Sequence, residues 1–152
     1  MRKKSNVRNE TPAELRSRTM RAVKAKDTGP ELVVRRLLHR AGLRYRLHDA
    51  RLPGRPDLVF PSRRIVLFVH GCFWHQHSNC PAAARPKSNS EYWDRKLDDN
   101  IARDVRHRAA LEAKGWTVLV IWECETLVAS RLDALKEKVL RINPRHKAEG
   151  TH

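Results

Sequence analysis

No apolar run in these 152 residues approaches the roughly 20 needed to cross a bilayer, and the basic start Met1-Arg2-Lys3-Lys4 leads into polar sequence, not a signal-peptide core. The sequence therefore reads as a cytoplasmic protein without a membrane partner. Cysteine is scarce. Three residues cannot all pair within one chain, and two of them, Cys72 and Cys80, share a histidine-bearing loop. That argues against a disulfide framework and for metal ligation in a reducing compartment. Acidic residues are also short: 17 Asp and Glu against 32 Lys and Arg leave a formal net charge of +15. Such a surplus favours a polyanionic partner, most commonly nucleic acid. No internal repeat or low-complexity segment is present, and the length suits about one domain with a modest core.

What the chain does have is concentrated between Arg55 and Cys80. Arg55-Pro56-Asp57 is followed by Leu58-Val59-Phe60, the polar break Pro61-Ser62-Arg63-Arg64, and Ile65-Val66-Leu67-Phe68-Val69. Two strands joined by a short turn are predicted there. Asp57 opens the first strand and His70 closes the second, so a tight hairpin makes them neighbours. Next comes Gly71-Cys72-Phe73-Trp74-His75-Gln76-His77-Ser78-Asn79-Cys80. A carboxylate for a divalent cation and imidazoles to activate water are the residue types that phosphodiester cleavage needs. Cys72, His77 and Cys80 can curl round one ion, with Cys124 delivered from beyond the strand Trp116–Trp122. Three thiolates and an imidazole form a closed tetrahedral zinc site, which is structural. Spacing alone leaves His75 open as a ligand in place of His77. Phe73 and Trp74 would not both find a core in such a loop, so at least one is expected at the surface. An exposed aromatic on a basic protein can stack on bases or wedge between base steps.

Along the chain, residues 1–10 read as a flexible basic arm, 11–142 as the folded domain and 143–152 as a flexible tail. Thr11-Pro12-Ala13-Glu14 starts a helix with Met20 near its end. Gly29-Pro30-Glu31 starts another, with Leu32, Val33, Leu37 and Leu38 on or near one face and Gly42 as its stop. Tyr45-Arg46-Leu47 reads as a short strand. Ser88 and Glu91 form a capping box for a long helix to about Lys114, with a core stripe of Trp93, Leu97, Ile101 and Val105. Trp116–Trp122 reads as a buried strand and Leu132–Leu140 as a last amphipathic helix. This order of elements predicts a mixed sheet flanked by helices, a three-layer α/β/α sandwich.

Four blocks in order, Met20-Arg21-Ala22-Val23 through Asp27-Thr28, Leu52-Pro53-Gly54-Arg55-Pro56-Asp57, His70-Gly71-Cys72-Phe73-Trp74-His75 and Trp122-Glu123-Cys124, resemble the very-short-patch-repair (Vsr) endonucleases. That family comprises bacterial T:G mismatch nickases with a restriction-endonuclease-like fold. The resemblance implies that Asp57 holds catalytic magnesium together with the backbone carbonyl of Val69. The Glu-x-Lys usual in nucleases of this fold is replaced by Phe68-Val69-His70, so the base role passes to histidine. His75 is implied as general base with Asp104 orienting it, and His70 and Glu31 as supporting residues. Cys72, His77, Cys80 and Cys124 match the zinc ligands. Met20, Phe73 and Trp74 match residues that intercalate beside the mismatch, and Lys96 and Asn100 match helix positions near the mispaired bases.

The function implied is a monomeric, magnesium-dependent endonuclease with structural zinc. It would nick the T-containing strand of duplex DNA at T:G mismatches left by 5-methylcytosine deamination, with mismatch-repair proteins as accessory partners. Two other readings stand beside it: a restriction-like endonuclease of the same fold with other specificity, and a zinc-stapled DNA-binding module without catalysis.

Overall fold

The computed structural model describes residues 27–144. The helix expected from Thr11, Met20, the basic arm and most of the tail lie outside the described residues.

Helix α1 spans Gly29–Arg40, with the Thr28 hydroxyl accepting the Glu31 N–H at 3.3 Å and a proline in the first turn. Acidic Glu31 at its start and basic His39 and Arg40 at its end both suit the helix dipole. Gly42 follows at φ +88°, and the Leu43 N–H returns to the Leu38 carbonyl at 3.1 Å, closing the helix through a left-handed residue that costs glycine least. Its buried face is Glu31, Val34 and Leu38; Val33, expected near that face, is exposed. The buried row is set one step from the apolar run because the charged Glu31 belongs to it.

Strands β1 (Arg46–Leu47), β2 (Leu58–Phe60) and β3 (Ile65–His70) run antiparallel in sequence, and β4 (Thr117–Trp122) joins β3 in parallel, giving the order β1-β2-β3-β4. The 3₁₀ turn Pro61–Arg63 and Arg64 at φ +56° make the expected hairpin. A parallel pair needs a long crossover. Helix α2, Ser90–Ala113, supplies it, and α3, Ala129–Arg141, follows the 3₁₀ turn Glu123–Leu127.

Strand side chains alternate between two apolar clusters. Leu58, Phe60, Ile65, Leu67, Leu119 and Ile121 meet Val34 and Leu38 of α1 and Leu135 and Val139 of α3. On the other parity, Val59, Val66 and Val118 meet Leu111 of α2. The molecule is thus a mixed α/β fold whose four-stranded sheet carries helices against both sets of side chains.

Two expectations about α2 fail. The helix begins at Ser90 behind Asn89, which sits at φ +53° without a side-chain cap, so the box of Ser88 and Glu91 does not form. Trp93 and Leu97 are fully buried, but Ile101 and Val105 are exposed. A row spaced strictly by four drifts roughly 40° per step on a helix of 3.6 residues per turn. By Val105 it has left the core, whereas Leu111, about five full turns beyond Trp93, is back on the buried side.

Candidate active site and metal centre

Asp57 sits one residue before β2, and its Oδ2 accepts the Val69 N–H near the end of β3 at 2.7 Å. The hairpin therefore does place Asp57 beside the segment Val69-His70. Burial pushes the Asp57 carboxyl up to about 6; the Val69 N–H opposes this, neighbouring Glu31 adds to it, and His48 and His75 oppose it. A buried carboxylate facing a second one is a site that gains from a cation.

Glu31 is almost fully buried although charged. It accepts the Asp27 N–H and pairs with His48 Nε2. His48, at φ +46°, also donates its backbone N–H to the Asp57 carbonyl at 3.1 Å. Asp27 and His48 were missed by sequence reasoning. The signal for His48 was register: Leu47 pairs with Leu58, so the next residue on the antiparallel β1 faces Asp57.

The imidazole of His75 lies 2.6 Å from Asp104 Oδ2 through Nδ1. An ionised carboxylate accepts only, so the proton of that bond is on Nδ1. Asp104 is on α2, and one turn earlier Asn100 donates to the Trp74 carbonyl at 3.1 Å, tying the loop to the helix. His70 stacks on His75, ring centroids 3.9 Å apart and 5° from parallel. Burial holds the His70 imidazole down to about 3; the neighbouring His75 charge adds to this and Asp104 opposes it. Its Nδ1 is buried without a hydrogen-bond partner among the described residues.

Cys72, His77, Cys80 and Cys124 form the second cluster, each offering a ligand atom within 4.8 Å of the others. His77 Nδ1 lies 3.7 Å from Cys72 Sγ and 3.4 Å from Cys124 Sγ. Donors at about 2.3 Å from a tetrahedral zinc stand roughly 3.8 Å apart, so this donor set fits zinc in both type and spacing. The Cys72 thiol is pushed up to about 12, first by burial and then by its sulfur neighbours. Bound cation charge reverses such a shift and yields thiolate. The choice between histidines is resolved geometrically: His77 faces the sulfurs while His75 faces Asp104.

Around both clusters the loop is pinned. Gln76 donates to the Phe73 carbonyl at 2.7 Å and the Ala83 carbonyl at 3.1 Å. Arg85 donates to Gln76 at 3.0 Å and reaches Asp94 and Asp98 on α2 at 3.0 and 2.7 Å. Phe73 is only 4% exposed, packed with Trp93 and Leu97, and Trp74 is half-buried against the same cluster. Neither ring is fully exposed, contrary to expectation, because α2 offers Trp93 as an aromatic floor. Lys96 is exposed on that helix.

The sequence also matches known proteins. Residues 10–81 match the family model described as DNA mismatch endonuclease Vsr. The chain is 52% identical over 127 residues to the type II nicking enzyme V.XorIIP of Xanthomonas oryzae pv. oryzae, covering 84% of this chain and 93% of that protein. It is 44% identical over 110 residues to the type II nicking enzyme V.NmeAIP of Neisseria meningitidis, covering 72% and 78%. It is 42% identical over 126 residues to the DNA mismatch endonuclease Vsr of Escherichia coli, covering 82% and 80%. The chain belongs to the DNA mismatch endonuclease Vsr family and is a nuclease.

Proposed function

We propose that this chain is a monomeric, magnesium-dependent nickase with a restriction-endonuclease-like three-layer fold, cutting the T-containing strand of duplex DNA at T:G mismatches in very short patch repair. The observation that carries the reading is the convergence of Asp57, the end of β3 and the His75–Asp104 pair at one end of the sheet.

Asp57 and the Val69 carbonyl would hold magnesium, which when bound supplies charge to the phosphate and the leaving oxygen. His75, held by Asp104, takes a proton from water through Nε2 as the water oxygen bonds phosphorus and the P–O bond to the leaving strand breaks. An imidazole suits that role because its ordinary pKa lies close to neutral pH. Glu31 with His48 keeps a second buried carboxylate aimed beside Asp57. Trp74, with Phe73 and Met20, would wedge beside the mismatch, and Lys96 and Asn100 would approach the mispaired bases from α2. The basic surface docks on phosphates, and a distorted T:G wobble step yields to the wedge at lower cost than a Watson–Crick one. Zinc on Cys72, His77, Cys80 and Cys124 would fix the loop.

Two of the relatives are named type II nicking enzymes. Those names support a second reading, the same chemistry set in another sequence context. Duplexes labelled on either strand and carrying each mismatch in varied flanks, with and without magnesium, separate the two. Nicking confined to the T strand of T:G duplexes is the expected result; equal cutting of other mismatches contradicts it.

A further inference from the structure

The zinc-type cluster and the His75–Asp104 pair share a wall. Trp122, the last residue of β4, pairs in register with His70, the last residue of β3. Its indole stacks on His77, centroids 4.3 Å apart and 11° from parallel. It meets His70 edge-on at 5.2 Å and 69°. His70 in turn lies flat on His75, whose Nδ1 is held by Asp104. Four rings thus run without a break from a sulfur-facing imidazole to the imidazole read as the base.

Trp122 is itself well anchored. Its backbone N–H donates to Glu125 Oε1 at 3.1 Å, and two residues on, the Cys124 N–H donates to Cys72 Sγ at 3.4 Å. Among the described residues His70 has no such anchor at Nδ1, and the ring contacts from Phe68, Trp122 and His75 set its orientation. With Trp122 gone, one wall of His70 is missing and the platform under His75 can turn.

We propose that Trp122 is a positioning residue: its indole, braced by His77, holds the His70 ring and thereby fixes His75 against Asp104. The inference rests on His75 being the base. It gives the Cys/His cluster a role beyond stability, since the ligand His77 also carries the far end of the stack.

The test uses the zinc-loaded full chain and three variants: Trp122→Leu, Trp122→Phe, and His77→Cys, which keeps four zinc-type donors but removes the braced ring. Single-turnover nicking, duplex dissociation constant, zinc content and the imidazole nitrogen NMR signals of His75 are measured together. A base displaced by about an ångström loses on the order of 10²-fold in rate. Trp122→Leu is expected to slow nicking by about that factor, with duplex affinity and one zinc per chain retained and the His75–Asp104 proton signal lost or broadened. Trp122→Phe should restore most of the rate and the signal, and His77→Cys should fall between. A wild-type rate and His75 signal in Trp122→Leu, or a rate loss that follows zinc or affinity, overturns the proposal. Should Trp122→Leu not fold, wild-type behaviour of zinc-loaded His77→Cys overturns it instead. A cleaving His75→Ala would remove the underlying base assignment, whereas an inactive His75→Ala beside an unaffected Trp122→Leu removes this inference alone.

Discussion

The loop from Gly71 to Cys80 feeds two clusters of opposite character, and residues two apart go to different ones. His77 joins Cys72, Cys80 and Cys124, three sulfurs and an imidazole placed so that they could close around one ion. His75 joins Asp104 and His70, near Asp57, whose carboxylate and that of Asp104 are the hard oxygen donors of this cluster. Between them Gln76 sits at φ +52°, and that left-handed residue sends the two imidazoles apart. On the proposed reading, the Cys/His set stabilises and the set beside Asp57 reacts.

Breaking the set beside Asp57 should have the largest effect on chemistry. Asp57→Ala is expected to lower nicking by about 10³-fold or more, the equivalent of several kcal/mol of lost charge stabilisation, with zinc content and fold retained. His75→Ala should cost about 10²–10⁴-fold. Gel assays under single turnover, with metal analysis alongside, check both. Cutting the Cys/His set should do the reverse of a clean kinetic lesion: Cys124→Ser is expected to lose zinc and melt roughly 10 °C lower or more, dragging activity with it.

The wedge residues sharpen the same contrast. Phe73 is packed in the free protein, so Phe73→Ala should cost about 3–5 kcal/mol in denaturant melts. Trp74, half-buried, should cost clearly less while its loss weakens binding to T:G duplexes. Equal stability losses would make both rings core residues.

A smaller effect tests the electrostatics around Asp57. The Asp57 carboxyl is raised in the folded chain, so its protonated form is favoured there, and the stability this gives is present below about pH 4 and lost as pH rises through about 6. Asp57→Asn escapes that loss. Without added divalent metal it should melt higher than wild type above pH 6, by up to about 3 kcal/mol for a shift near two units, with no gain below pH 4. Least of all, Val105→Ser on the exposed face of α2 should change stability by no more than about 0.5 kcal/mol.

Much of the site was legible because it is local in sequence. The hairpin put Asp57 beside Val69 and His70, and Cys72, His77 and Cys80 fall within one loop; Cys124 followed from its place after a strand. Spacing alone could not divide His75 from His77, since the dihedral at Gln76 decides it. Nor could it show that Phe73 lies on Trp93, because that contact joins a loop to a helix twenty residues on. His48 was missed for the same kind of reason: the β1–β2 register sets it against Asp57, and its other partner, Glu31, comes from α1. In α2, spacing by four leaves the buried side by Ile101 and Val105, because a helix of 3.6 residues per turn rotates that row away. Family membership sets aside the reading of a DNA-binding module without catalysis.

The division of labour between the two clusters is tested most directly by one measurement: strand-resolved nicking of a T:G duplex by protein carrying one zinc per chain, as magnesium is titrated in. Cleavage of the T strand should appear only with magnesium, saturate while zinc content stays constant, and be absent on the matched T:A duplex. Cleavage by the zinc protein without magnesium, or equal cleavage of T:A, would contradict it.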